Sequence, residues 1–179
     1  EQTKRCDVIL FDLQDVGCRF YTYISTLTYV MQACSEANIP LIVLDRPNPN
    51  DYIDGPVMED KYKSFVGLHN IPVVYGLTIG EYALMVNNEG WLEGGRKCDL
   101  RIIGLQNWFH DMPSAYSLPV APSPNLPTDK AIALYPSLCL LEGTTVSVGR
   151  GTDTPFEIIG SPDCQGKDFT FVPRPIKGV

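Results

Sequence analysis

The chain has 179 residues, 44% of them hydrophobic and 20% charged, which is the composition of a folded globular protein and excludes a disordered segment. Its formal net charge of -7 argues against nucleic acid as a partner, because binding phosphates requires a basic face. No apolar stretch approaches the length of a membrane span, and the first residues lack the apolar core of a signal peptide. The six cysteines include no Cys-x-x-Cys pair, so no structural zinc site is predicted.

The first predicted element is a short strand that leads into a polar loop. Residues 6–11 are mostly apolar and rich in branched side chains, as expected of a strand covered on both faces. Ligands of open parallel sheets bind beyond the carboxyl ends of the strands. At that place the loop offers two carboxylates, a guanidinium and two phenols, namely Asp12, Asp15, Arg19, Tyr21 and Tyr23. A purely structural loop, with capping aspartates and packed tyrosines, is an equally good interpretation.

A strand–helix–strand unit is the next feature. Apolar residues recur at helical spacing over 26–38, and residues 41–44 predict a second buried strand. Such a unit normally contains parallel strands joined by a right-handed crossover. The second strand ends in another polar loop, which holds Asp45, Arg46 and Asn48. Because the carboxyl ends of parallel strands share one edge of the sheet, we expect the two polar loops to meet.

The middle of the chain predicts one more helix and one more strand. Residues 51–67 are irregular, and residues 71–75 predict a short extended piece. Thr78 and Glu81 have the spacing of a capping box, which predicts a helix over 79–88. We interpret Glu81 mainly as part of this cap. Residues 98–103 predict a third strand.

The last third of the chain is rich in proline and polar side chains. Residues 112–128 predict a loop, extended over 123–128 because each proline biases its predecessor away from the helix. Residues 131–141 predict a short helix that Pro136 interrupts or ends. Alternating branched residues predict a strand over 144–148. Two further polar clusters fall here, made of Ser123, Asn125 and Thr128, and of Glu142, Thr144, Ser147 and Arg150.

Together these elements predict an α/β fold with a mostly parallel sheet. No Gly-x-Gly-x-x-Gly follows the first strand, and no Gly-x-x-x-x-Gly-Lys-Ser/Thr occurs, so we expect a Rossmann-like sheet without a nucleotide or other cofactor. His69 and His110 are the only histidines, and neither has a catalytic partner nearby in sequence.

Paired carboxylates at a sheet edge have two common uses. In glycoside hydrolysis one carboxyl protonates the leaving oxygen and the other acts as base or nucleophile. In phosphoryl chemistry aspartates hold a divalent metal, and the metal ligands here would be Asp12, Asp15 and Asp45. The neighbouring tyrosines favour a sugar, because aromatic faces pack well on sugar rings. Arg150 stands between two glycines, which suits a carboxylate or phosphate ligand as well as an internal ion pair.

Five long segments resemble the signature blocks of the NamZ-type exo-β-N-acetylmuramidases, a family formerly described as a domain of unknown function. They lie in the same order over nearly the whole chain, at 11–23, 45–49, 75–81, 122–128 and 141–156. The resemblance implies a glycosidase that removes terminal N-acetylmuramic acid from peptidoglycan fragments. It also implies a Rossmann-like catalytic domain over 1–150, the start of a smaller C-terminal α+β region over 151–179, and an extracytoplasmic location, periplasmic or secreted.

Site residues follow from the resemblance together with the polar clusters. The carboxylates to test first are Asp12, Asp15 and Glu142, with no assignment of acid and base. The tyrosines suit the sugar ring and the N-acetyl group, and Arg150 or Arg19 suits the lactyl carboxylate. The proposed substrate contacts are Arg19, Tyr21, Tyr23, Asn48, Asn125 and Arg150.

The chain also departs from the family pattern. An upstream block with Pro-Glu-His-Gly, which carries a candidate catalytic glutamate in the family, has no counterpart, so we expect a piece of a longer protein. Tyr75 stands where many relatives have histidine. Two alternatives therefore stay open: a metal-dependent phosphohydrolase, and a muropeptide-binding module without catalytic activity.

Overall fold

The computed structural model describes residues 5–110, 116–164 and 169–176, which form two compact units, Glu1–Ser114 and Ala115–Val179. Within those ranges no helix has both the length and the apolar character needed to cross a membrane. The domain boundary expected at residue 150 stays a prediction. The elements of the first unit are β1 (Ile9–Phe11), α1 (Tyr23–Ala37), β2 (Leu41–Leu44), β3 (Ile53–Asp54), β4 (Val74–Tyr75), α2 (Ile79–Asn88) and β5 (Leu100–Ile103).

A three-stranded parallel sheet in the order β1-β2-β5 organises the first unit, which confirms the predicted α/β class. Strand β2 has the predicted bounds and lies at the centre. Its Leu41 and Val43 are fully buried against the helices, where they pack with Leu27 and Met31 of α1. A separate antiparallel pair, β3 with β4, lies outside this sheet. The core is therefore built between one face of the sheet and the helices α1 and α2.

The prediction that the first strand is buried on both faces is wrong. Strand β1 begins only at Ile9, and Leu10 is 61% exposed. The reason is that the helices pack on only one face of the sheet, and Leu10 lies on the other face in register with the exposed Arg101 of β5. Phe11, which points to the opposite face, is buried in the core as expected.

Helix α2 has the bounds that its capping signal predicted. The Thr78 hydroxyl accepts a hydrogen bond from the Glu81 backbone N–H, and the Glu81 carboxylate accepts one from the Thr78 N–H. The same Thr78 hydroxyl donates to Asp45 Oδ2 at 2.8 Å, just beyond the end of β2. Because one buried hydroxyl serves both partners, it fixes the start of α2 against the carboxyl edge of the sheet.

We expect Thr78→Ala to lower the free energy of unfolding by about 2 kcal/mol, since it removes an N-cap and one donor to a partly buried carboxylate. Urea unfolding followed by circular dichroism measures the change. Thr78→Ser keeps the hydroxyl and is the matched control, expected to lose less than half as much. If both variants lost the same free energy of unfolding, the effect would come from the methyl group of Thr78 and not from its hydroxyl.

The described part of the second unit, residues 116–164 and 169–176, contains one α-helix, α3 (Asp129–Leu138), with Pro136 inside it and a 3-10 turn over Cys139–Gly143 after it. The expected extension over 123–128 is wrong, because residues 123–126 form a β-turn in which the Leu126 N–H donates to the Ser123 carbonyl at 2.9 Å. Proline is well suited to the second position of such a turn. The expected strand over 144–148 is also wrong: only Ser147 makes a bridge, to Gly160, and the Thr144 hydroxyl turns back to Leu141.

Candidate active site

The polar loops that follow β1 and β2 meet at the carboxyl edge of the sheet, as the parallel arrangement predicted. Arg46 and Asp12 form an ion pair at 2.6 Å in which both side chains are about half exposed. The Gln14 side chain donates to the carbonyl of Pro47 at 2.8 Å. These contacts join two segments that are more than thirty positions apart in the sequence.

Asn48 holds the loops of this edge together from a buried position. Its Oδ1 accepts from the Asn50 N–H at 2.9 Å, and its Nδ2 donates to the Leu77 carbonyl at 3.1 Å. Gly17 packs directly on it: a Cβ at that position would lie 2.1 Å from Asn48 Oδ1, and the φ of +72° also favours glycine. The side chain predicted as a substrate contact thus has structural partners, and its contact with substrate stays a prediction.

Asp15 is the most unusual group at this edge. The residue is only 6% exposed, and its Oδ2 accepts hydrogen bonds from the Gly17 N–H at 2.7 Å and from the Tyr75 hydroxyl. Its Oδ1 is buried and has no hydrogen-bond partner among the described residues. Burial raises the pKa of Asp15 from 3.8 to about 7, against the lowering effect of these hydrogen bonds. Asp15 therefore carries a proton for a large part of the time at neutral pH.

Tyr21 interacts with the charge of this carboxyl, and Tyr23 packs on Tyr21. Their rings meet edge to face, with centroids 4.9 Å apart. Burial raises the pKa of Tyr21 well above its ordinary value, and the negative charges of Tyr23 and Asp15 would raise it further. Both rings are partly exposed, so they offer aromatic surface together with a hydroxyl group.

Arg19 and His69 have structural surroundings in the first unit. The buried Arg19 guanidinium donates to the backbone carbonyls of Ile71 and Pro56, which ties the loop to the chain before β4. The His69 ring packs on Trp91 with centroids 4.7 Å apart, and burial lowers the pKa of His69 to about 4. Arg19 as a contact for the lactyl carboxylate stays a prediction.

A cavity of about 310 Å³ opens beside the same edge of the sheet, and sequence reasoning missed it. Asp45 lies on its wall, where it accepts hydrogen bonds from Thr78 and from the Gly80 N–H. Burial raises the pKa of Asp45, while these hydrogen bonds lower it. The cavity is lined by Asp45, Thr78, Glu81, Leu105, Trp108, Phe109 and His110.

His110 binds two carboxylates at this cavity. Its Nδ1 lies 2.7 Å from Asp51 Oδ1, and its Nε2 lies 2.9 Å from Glu81 Oε1. Hydrogen bonds to Glu81 and Asp51 raise the pKa of His110, since both favour the charged imidazolium. Neither partner is near His110 in the sequence, so only a method that detects distant residue pairs could have found this arrangement.

The second unit contains the remaining candidates. Glu142 Oε1 accepts from Arg150 Nε at 2.5 Å, and the guanidinium also lies 4.9 Å from the centre of the Phe156 ring. Arg150 therefore forms an internal ion pair with Glu142. An internal ion pair was one of the two interpretations of this arginine, and an anionic ligand was the other. Asn125 lies in the β-turn, and its Oδ1 is buried with no hydrogen-bond partner among the residues that the structure describes. The roles of Glu142, Asn125 and Arg150 at a substrate stay predictions.

No metal centre is evident in the described ranges, where no group of three or more His, Cys, Asp or Glu side chains is placed to hold an ion. The three aspartates named for a metal site each have a donor partner instead. Asp12 pairs with Arg46, Asp15 with Tyr75, and Asp45 with Thr78.

Comparison with known proteins identifies the family. Residues 1–130 match the family described as exo-beta-N-acetylmuramidase NamZ, N-terminal, and residues 133–174 match its C-terminal counterpart. The chain belongs to the NamZ family. The family assigned from the sequence blocks is thus confirmed.

Individual relatives agree with this NamZ assignment. The peptidoglycan beta-N-acetylmuramidase NamZ of Bacillus subtilis (strain 168) is 48% identical over 166 residues, which cover 90% of this chain and 39% of that protein. Two crystal structures of DUF1343 family proteins from Bacteroides fragilis NCTC 9343 match with TM-scores of 0.94 and 0.78, at 51% and 40% identity. They cover 99% and 86% of this chain, which in turn spans 50% and 41% of theirs. The chain thus spans half or less of the length of these NamZ relatives.

We expect Tyr75→Phe to raise the pKa of Asp15 by about one further unit, because the phenol donates a hydrogen bond that favours the ionised carboxylate. The chemical shift of the Asp15 carboxyl carbon, followed by NMR against pH, measures it. Tyr82→Phe is the matched control, since its buried hydroxyl contacts Thr28 at 3.2 Å instead. A shift of the same size in both variants would contradict the assignment to Tyr75.

Proposed function

We propose that this chain is the catalytic part of an exo-acting glycoside hydrolase that removes terminal N-acetylmuramic acid from peptidoglycan fragments. Membership of the NamZ family and the muramidase from Bacillus subtilis support the reaction and the substrate. The observation that carries the chemical proposal is the pair Asp15 and Asp12. These carboxyl groups lie on one loop but in opposite environments.

Glycoside hydrolysis needs one carboxyl that holds a proton and one that is ionised. Asp15 meets the first need, since burial raises its pKa to about 7. We assign proton donation to this carboxyl. Asp12, half exposed and paired with Arg46, is the group we assign to the ionised role. The reaction in this scheme uses no metal ion or other cofactor.

The substrate contacts that we propose in the first unit are two tyrosines. Tyr21 and Tyr23 offer aromatic surface and hydroxyl groups for the sugar ring, and Tyr21 interacts with the charge of Asp15. In the second unit, Arg150 is proposed to contact the lactyl carboxylate and Asn125 a polar group of the substrate, while Glu142 is the alternative acid. An extracytoplasmic location is part of the proposal, because intact peptidoglycan lies outside the membrane.

A pair of chromogenic substrates tests the function. The protein is incubated with an aryl N-acetylmuramide and with the matching N-acetylglucosaminide, and release of the chromophore is measured with and without a chelator. We expect cleavage of the muramide alone, unchanged by the chelator. Release of the chromophore from an aryl phosphate instead of the muramide, abolished by the chelator, would favour the phosphohydrolase interpretation. Calorimetric binding of N-acetylmuramic acid without cleavage of the muramide would favour a binding module. This control is needed because the match covers only 39% of the Bacillus subtilis relative.

A further inference from the structure

The segment over residues 105–110, which lines the cavity beside Asp45, combines aromatic side chains with polar groups. Trp108 and Phe109 lie on its wall, and Phe109 is 66% exposed, so hydrophobic surface faces solvent next to polar groups. Exposed aromatic surface of this kind commonly marks a binding site. The Asp45 and Glu81 carboxylates line the same cavity.

His110 fixes this wall to the rest of the unit. Its ring is the link between the loop at Asp51 and the first turn of α2 at Glu81. The same ring meets Trp108 edge to face, with centroids 4.9 Å apart. A histidine that contacts two carboxylates and a tryptophan restricts the position of that tryptophan, because movement of the segment would break both polar contacts.

We propose that the cavity is a saccharide subsite in which Trp108 and Phe109 pack on a sugar ring, and that His110 is a positioning residue that holds this aromatic wall through Asp51 and Glu81. The aromatic side chains supply the flat apolar surface that a pyranose ring covers. The Asp45 and Glu81 carboxylates, which line the same cavity, supply acceptors for its hydroxyls. A cavity of about 310 Å³ has room for one ring and not for a long glycan segment. This inference rests on the proposed function, and it adds Trp108, Phe109 and His110, which neither the sequence blocks nor the carboxyl pair includes.

The subsite predicts a separation between binding and turnover. Trp108→Ala is expected to raise KM for the aryl N-acetylmuramide about tenfold with kcat changed less than twofold, because the stacking surface acts on the bound sugar and not on proton transfer. His110→Ala is expected to raise KM about fivefold, since the wall loses its anchor. His110→Gln keeps a side-chain donor and should restore part of the affinity. A fall in kcat with unchanged KM in these variants would overturn the proposal.

A direct binding measurement keeps this test separate from the test of the reaction. The chain has two tryptophans, so Trp91→Phe leaves Trp108 as the only indole reporter. In that background, N-acetylmuramic acid, which has no glycosidic bond to be cleaved, should change the Trp108 emission with a saturable dependence. The His110→Ala version should require about fivefold more sugar. Absence of any saturable change would overturn the subsite, whereas cleavage of the chromogenic substrate by the unchanged protein would still support the proposed function.

Discussion

Asp15→Asn is expected to lower kcat for an aryl N-acetylmuramide about 10³-fold without lowering the melting temperature. Asparagine has the same shape, can still accept from Gly17 and Tyr75, and resembles the protonated carboxyl that predominates below pH 7. What it cannot do is give up a proton to the leaving oxygen. Steady-state kinetics and differential scanning calorimetry on the same samples measure both quantities.

A matched control separates the loss of an acid from the loss of a charge. Asp99→Asn changes an exposed aspartate that directly precedes β5, and it should leave kcat within twofold of the unchanged protein. If Asp15→Asn lost activity and melting temperature together, the side chain would be structural. If it kept its activity, Glu142 would become the first candidate for the acid.

The same carboxyl should make the protein less stable as the pH rises from about 4 to about 7. Asp15 has a pKa of about 7 in the folded chain, against the ordinary value of 3.8, so between these values the unfolded state has lost a proton that the folded state keeps. The stability that the neutral carboxyl contributes is fully present below pH 3.8 and is lost as the pH rises to about 7. Three pH units correspond to at most about 4 kcal/mol.

Asp15→Asn removes this dependence and allows it to be isolated. Near pH 4 the variant and the unchanged protein should have similar free energies of unfolding. At pH 8 the variant should be the more stable one, by up to about 4 kcal/mol, with no further gain above that pH. Urea unfolding at four or five pH values measures the difference. A difference that stays constant over this range would show that the pKa of Asp15 is not raised by folding.

Local signals predicted part of the fold accurately. Helix α2 and strand β2 have the expected bounds, because Thr78 with Glu81 forms a complete cap and because the apolar run of β2 is bounded by polar turns. The strand expected over 144–148 failed for a physical reason that is also local. Hydroxyl groups compete for backbone partners, and Thr144 both donates to the Leu141 carbonyl and accepts from the Val146 N–H.

The sequence predicted only those contacts of the site that the parallel strand arrangement requires. Parallel strands required the loops with Asp12 and Arg46 to meet, and they do. Nothing in the sequence near Asp15 indicates its partner Tyr75, which comes sixty residues later from the antiparallel pair outside the main sheet. His110 likewise finds its two acids through the packing of distant segments. The protonation of Asp15 and His110 depends on burial and on partners that are distant in the sequence. A short stretch of sequence around either residue does not reveal these features.

The close packing of Gly17 on Asn48 limits how this part of the family can vary. Any side chain larger than hydrogen at position 17 would overlap the amide, so an exchange there requires a smaller partner at position 48 in the same molecule. Among homologous proteins, a change at position 17 should therefore occur only together with a change at position 48. A library that randomises both codons at once would reveal that coupling as a set of permitted pairs, almost all of which keep glycine.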